Sequence, residues 1–434
     1  MTEKRWEIPN PFLRKDGTAV ESPKEWAKQR EALARILAED LYGQMPPAPG
    51  NVQAELVFSK ELWEGSAVYE VYDLSFGPEH SVHEKTAIIR SAASGKQTIP
   101  IVLCGGFVEE DKAKAAVEQG FCVITPLLDD AAPDLPDYQK GTLYRAYPQY
   151  SFKVIAMWGW LMSRVIDWLY TLEEIDYEHV VVAGHSRFGK AALCCSVYDE
   201  RVALCVAAGS GCGGMGSLRV AGSRWGENTG EVETLGGMIT GMFPHWFREE
   251  LADFGAKEAS AHARENELRF DSNFIGSAIA PRPLLILEGM DDTWANPFGT
   301  MAAWCAVSEV YHFLGHDDQL GIHFREGGHA LNLEDWKVLL DFCGSQFRGE
   351  KPAANWHIRS GEEPSLKRSW NAPLTEADKQ PSEKPSIFTM TPERARELEE
   401  RLNSKWAFGE AGLETGMDRF VKMILAKHLN NEKG

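Results

Sequence analysis

Val181-Val182-Ala183-Gly184-His185-Ser186-Arg187-Phe188-Gly189-Lys190-Ala191-Ala192-Leu193 decides the fold. A β-branched apolar run ends in Gly-x-Ser, and a helix-forming stretch follows at once. That is the context of a nucleophile elbow, in which a buried strand turns sharply into a helix and holds a serine on a strained corner. Small neighbours let the two backbones approach, and the helix start directs N–H groups toward developing negative charge. The pattern departs from Gly-x-Ser-x-Gly in one respect, since the second glycine, Gly189, comes one residue late. Taken alone, the same serine could simply cap a helix. The remainder of the chain must decide.

Chain order supplies the test, because a hydrolase built around such an elbow has its serine first, then an acid, then a histidine. The apolar run Pro283-Leu-Leu-Ile-Leu-Glu288 ends in Gly289-Met290-Asp291-Asp292-Thr293-Trp294, an acidic turn after a late strand. Further on, Gly321-Ile-His-Phe-Arg-Glu326 has the pattern of a last strand and leads into Gly327-Gly328-His329-Ala330, ahead of a helix over 333–345. Ser186, an aspartate at 291 or 292, and His329 therefore fall in the required order, each after a strand. His312, His316 and His323 are the rival bases, and the residues alone leave Asp291 and Asp292 unseparated.

Working outward, strand and helix patterns alternate. Buried strands are expected at 99–104, 121–125, 180–183, 202–208 and 283–288, and helices over 113–119 and 153–174. Such alternation implies a mostly parallel sheet covered on both faces. Before it, Ser22-Pro23-Lys24-Glu25 opens a capped helix ending before Gly43, and alternating segments at 54–58, 67–75 and 84–91 predict antiparallel strands. The expectation is an α/β-hydrolase three-layer sandwich with an N-terminal helix and strands over 1–348. Residues 349–434 are expected to form a linker and a helical C-terminal appendage, with helices from Thr391 and over 413–428. The expectation is that this tail packs on the domain or on a partner chain, as in a homo-oligomer.

Composition closes off other classes. The 434 residues carry 45 Lys and Arg against 64 Asp and Glu, a net charge of −19, which excludes a global footprint for nucleic acid. No apolar run approaches the roughly 18 residues that span a bilayer. Met1-Thr2-Glu3-Lys4-Arg5-Trp6 shows no signal-peptide core, so the expectation is a cytoplasmic protein, or an exported one whose leader has been removed. The cysteines at 104, 122, 194, 195, 205, 212, 305 and 343 form no CxxC pair and read as reduced core residues. Fourteen tryptophans are many, and tryptophan also stacks on sugar rings.

With these residues in place, the chain resembles the glucuronoyl esterases, carbohydrate esterase family fifteen. Ser186-Arg187-Phe188-Gly189-Lys190 carries the resemblance, supported by Trp158-Gly-Trp160-Leu-Met-Ser-Arg164 and Ser210-Gly-Cys-Gly-Gly214. Phe243-Pro-His-Trp-Phe247, Ile279-Ala-Pro-Arg-Pro283, Asp292-Thr293-Trp294-Ala295-Asn296-Pro297 and Gly328-His329 agree as well. The likeness covers roughly residues 20–348 and leaves out the tail.

The resemblance implies Ser186 as nucleophile, His329 as base and Arg187 as an oxyanion-stabilising residue. It places Lys190, Glu227, Trp246 and Trp294 at the sugar, with Glu231 or Glu233 as alternatives to Glu227. Many members carry an acid 23 residues after the serine, a position held here by Gly209, so Asp292 becomes the triad acid. His185 stands where fungal members have a disulfide cysteine. The implied activity is a serine carboxylesterase acting on a small-molecule or oligosaccharide uronate ester, with no metal or cofactor. The alternatives are a short-acyl or acetyl-sugar esterase and a non-catalytic hydrolase-fold binding protein.

Overall fold

The structure is a computed structural model, and it describes residues 8–93, 97–220, 232–255, 264–353 and 356. The strands are β1 (Gln53–Leu62), β2 (Ala67–Phe76), β3 (Val82–Ser91), β4 (Ile99–Cys104), β5 (Phe121–Leu127), β6 (Val181–His185), β7 (Leu204–Ala208), β8 (Leu284–Gly289) and β9 (Leu320–Arg325). They form one mixed sheet in the order β1-β2-β3-β5-β4-β6-β7-β8-β9. The helices are α1 (Pro23–Leu37), α2 (Glu110–Glu118), α3 (Thr142–Ala146), α4 (Val154–Leu169), α5 (Arg187–Tyr198), α6 (Leu235–Gly237), α7 (Ser272–Ile279), α8 (Pro297–Leu314) and α9 (Leu333–Arg348). The sandwich of an α/β hydrolase is thus in place. Both helices expected after residue 390 lie outside the described residues. No described helix is long and apolar enough to cross a membrane.

The described residues divide into two compact units, one drawn from 8–45, 151–159, 183–220, 232–255, 264–353 and 356, the other from 46–93, 97–150 and 160–182. In the second, β1, β2 and β3 pair antiparallel and β4 runs parallel to β5. β1 is longer than the expected 54–58. Its solvated residues Glu55, Ser59, Lys60 and Glu61 carry little apolar alternation, and backbone pairing to β2 extends the strand regardless. α4 stops at Leu169 instead of 174. Thr171 Oγ1 donates to Trp168 O and the chain tightens into i→i+3 turns there, a hydroxyl competing with the helical ladder.

In the first unit, β7, β8 and β9 run parallel with every β7 and β8 residue buried, which explains their continuous apolar reading. α1 buries Trp26, Gln29, Leu33 and Leu37, one helical stripe. Its N-cap Ser22 makes no side-chain capping bond to the helix; Glu25 accepts from Glu21 N–H at 3.1 Å. All eight cysteines are free thiols, and seven are buried.

Candidate active site

β6 ends at His185 and α5 begins at Arg187, leaving Ser186 alone at the corner with φ 58° and ψ −127°. A positive φ is unfavourable for a residue with a Cβ, so the surroundings must enforce it. Ser186 N–H donates to Ala208 O at 2.8 Å, pinning the corner to the end of β7, and Lys190 N–H donates to Ser186 O at 3.1 Å. A Cβ on Gly184 would stand 2.1 Å from Phe188 O, and one on Gly189 only 3.0 Å from Gly184 O. The late glycine therefore faces the early one across the turn, and the helix packs on the strand through both. Ser186 makes no helix-capping bond, so the plain cap reading is not met.

Two loops bring Asp292 and His329 together. His329 Nδ1 donates to Asp292 Oδ2 at 2.6 Å, while Asp292 Oδ1 accepts from Ala295 N–H at 3.2 Å. Asp292 is 3% exposed, so little water weakens this charge-assisted bond. Asp291 turns elsewhere: its N–H donates to Gly327 O at 2.9 Å and its carboxylate accepts from Gly327 N–H at 3.3 Å. One aspartate orients the histidine and its neighbour ties the two loops together. Among the rival bases, His312 pairs with Asp317 and His323 lies 3.6 Å from Glu334, neither of them at the elbow.

Arg325, at the end of β9, was not singled out from the sequence, yet it organises the loop that carries His329. Its Nε donates to Asp335 Oδ2 at 2.6 Å, Nη1 to Glu326 O at 3.0 Å, and Nη2 to Gly328 O and Ala330 O at 3.0 and 2.6 Å. Asp335 is fixed in turn by the capping box it forms with Asn332 at the start of α9. An arginine closing a strand before Gly-Gly-His, with Asp at the third position of the next helix, was the available signal.

Beside the serine, the Arg187 guanidinium lies 4.9 Å from the ring centroids of both Phe243 and Trp246. These rings stack at 3.7 Å with 4° between planes. Lys190 Nζ lies 5.4 Å from the Trp246 ring and donates to Ser210 O at 2.7 Å and Glu233 Oε2 at 2.8 Å. Glu233 also accepts from Cys212 N–H at 3.0 Å, an approach that requires glycine at 211, where a Cβ would meet the carboxylate at 2.3 Å.

Trp246 is 1% exposed, stacked on Phe243 and flanked by the cations of Arg187 and Lys190. Lys190 is as deeply buried and is already paired with Glu233. Trp294 is half-buried, and its carbonyl accepts from Glu233 N–H at 3.0 Å. Glu227 and Glu231 lie outside the described residues.

Burial pushes the Glu288 carboxyl well above the usual carboxylate range, and the negative charge of Asp292 adds to the shift. Glu288 Oε1 accepts from Thr300 Oγ1 at 2.9 Å, and its Oε2 is buried without a partner among the described residues. Burial also raises the Cys212 thiol, with Glu233 next in effect, so this cysteine is an inert thiol beside the site. Among the described residues, no group of three or more His, Cys, Asp or Glu side chains is arranged to hold a metal ion.

Comparison with known proteins adds an independent line. The family model described as "Glucuronyl esterase, fungi" matches residues 79–315, more than half of the chain. A carbohydrate esterase from an unknown prokaryotic organism is 26% identical over 412 residues, covering 80% of this chain and 90% of its own. A 4-O-methyl-glucuronoyl methylesterase of Wolfiporia cocos is 29% identical over 329 residues, 74% of this chain and 76% of that one. Among solved structures, a carbohydrate esterase family 15 glucuronoyl esterase from Caldicellulosiruptor kristjansonii aligns with a TM-score of 0.69 at 27% identity. That alignment covers 87% of this chain and 97% of the other.

Proposed function

The chain belongs to the glucuronyl esterase family, and from that premise we propose that it is a serine carboxylesterase that hydrolyses uronate esters, with Ser186, His329 and Asp292 as its triad. The observation that carries the reading is the 2.6 Å bond from His329 Nδ1 to buried Asp292, in a unit whose only strained serine corner is Ser186 among the described residues. An acceptor on Nδ1 places the lone pair of His329 on Nε2, the tautomer a general base needs.

In this mechanism His329 Nε2 takes the Ser186 proton as Oγ attacks the ester carbonyl. The tetrahedral oxyanion is held by N–H groups at the start of α5 and by Arg187, whose guanidinium is aimed by the Phe243–Trp246 stack. His329 returns the proton to the departing alcohol, and water, deprotonated by the same imidazole, releases the acid. Related proteins named as 4-O-methyl-glucuronoyl methylesterases support a glucuronate as the acyl part. Trp294 is the ring that offers a face to the sugar, and Glu233 is adopted over Glu227 because it reaches Lys190. An esterified uronate is neutral and is not repelled by a chain of net charge −19, whereas the product carboxylate is.

The test is hydrolysis of benzyl or methyl glucuronate beside p-nitrophenyl acetate, with Ser186→Ala as control. Uronate cleavage that vanishes in the variant supports the reading. Serine-dependent cleavage of the acetate alone keeps the triad and replaces the substrate class by short-acyl esters. Activity that survives in Ser186→Ala removes the nucleophile.

A further inference from the structure

One side chain at the corner has no task in this mechanism. His185 closes β6 immediately before Ser186, and its ring centroid lies 4.4 Å from that of His329, with the planes tilted by 46°. Its Nε2 edge faces Gly209, where a Cβ would stand 3.4 Å from His185 Nε2 and 3.2 Å from Asp292 Oδ2. His185, His329 and Asp292 thus close around one glycine, and the missing side chain at 209 leaves them the room.

The bond to Asp292 fixes one atom of the His329 imidazole. A ring held at one atom can still rock about that bond, and rocking swings the opposite nitrogen away from the serine. A second ring packed beside it, 4.4 Å between centroids, restrains this freedom. The contact also has an electrostatic side, since His329 becomes a cation on accepting the serine proton. A neutral aromatic face within about 6 Å favours that cation.

We propose that His185 is a positioning residue for the base: its ring is the wall that holds the His329 imidazole in line and supports the imidazolium formed during acylation. The proposal rests on the reading of Ser186 and His329 as nucleophile and base.

Three variants separate this role from simple space filling: His185→Ala removes the ring, His185→Phe keeps a face without nitrogens, and His185→Gln keeps polarity without a face. The readouts are kcat and KM on whichever ester the wild type cleaves, melting temperature, and the rate at which a fluorophosphonate probe labels Ser186. Labelling needs no knowledge of the natural substrate. His185→Ala is expected to slow turnover and labelling together by roughly tenfold, KM staying within about twofold, and His185→Phe to recover most of the loss. Unchanged rates in His185→Ala, or a His185→Phe no better than it, would overturn the proposal. Recovery in His185→Gln but not His185→Phe would replace the ring face by a hydrogen bond and overturn it equally. If His185→Ala does not fold, the contrast between Phe and Gln decides. Failure of the uronate assignment shows in the wild type's substrate profile and leaves the labelling series readable.

Discussion

The elbow and the base loop solve the same problem, holding one reactive side chain still, by opposite means. At the elbow the solution is space: Gly184 and Gly189 let helix and strand close to contact, and the backbone bond from Ser186 N–H to Ala208 O pins the turn. At the base loop the solution is polar: one guanidinium gathers three carbonyls around His329, and Asp291 ties the loop to its neighbour. The difference teaches that the two halves of the proposed triad have different weaknesses. A methyl group should break the first, and only the loss of a hydrogen-bonding group the second.

The largest effect is expected from Gly184→Ala. Its Cβ would enter the Phe188 carbonyl at 2.1 Å, against backbone that cannot yield, and destabilise the protein by about 3 kcal/mol or more. Gly328→Ala, on the base loop, meets no atom within 4 Å and should leave melting within about 0.5 kcal/mol of wild type. Equal melting shifts would erase the contrast.

Next comes the acidic turn. Asp292→Asn should lower kcat by on the order of 10³–10⁴, because the amide no longer enforces the right tautomer, while Asp291→Asn should cost about threefold or less. Steady-state kinetics on the two variants checks this, and the reverse order would move the acid to Asp291. Arg325→Lys keeps a charge near Asp335 but cannot reach three carbonyls at once. It should lower kcat roughly 10- to 100-fold with stability reduced by about 2 kcal/mol, and a melt and a rate from one sample suffice to see it.

The smallest effect concerns Glu288, beside the base loop. Its folded-state pKa is raised by burial, so the fold binds this proton more tightly than the unfolded chain does. The stability gained from the neutral form is complete below the ordinary carboxyl range and is lost as pH rises toward the raised value. Glu288→Gln does not titrate. Its melting temperature relative to wild type should therefore climb as pH rises above the ordinary carboxyl range, and a gap that is flat with pH would contradict the assignment.

The elbow was legible in the sequence because its constraint is local: a strand, a serine and two glycines within a few residues. The order of acid and base was legible because strands announce their ends. The choice between Asp291 and Asp292 was not, since adjacent residues differ only in how a turn points their side chains. Arg325 was hidden for a related reason, being one more residue in a strand pattern until three loop carbonyls are seen around it. Trp246 shows the same limit from another side: tryptophan suits both a sugar and a core, and the Arg187 guanidinium 4.9 Å from its ring centroid is invisible in the sequence. The length of β1 escaped because a solvated edge strand owes its existence to its neighbour's backbone more than to its own side chains.

The left-handed twist at Ser186 carries one more consequence. A conformation that glycine adopts freely and serine does not is a permanent tension between working and lasting. Ser186→Gly would release it, giving a dead enzyme that melts a few degrees higher than the living one. By that measure, activity shortens this protein's life, and a scanning calorimeter could read by how much.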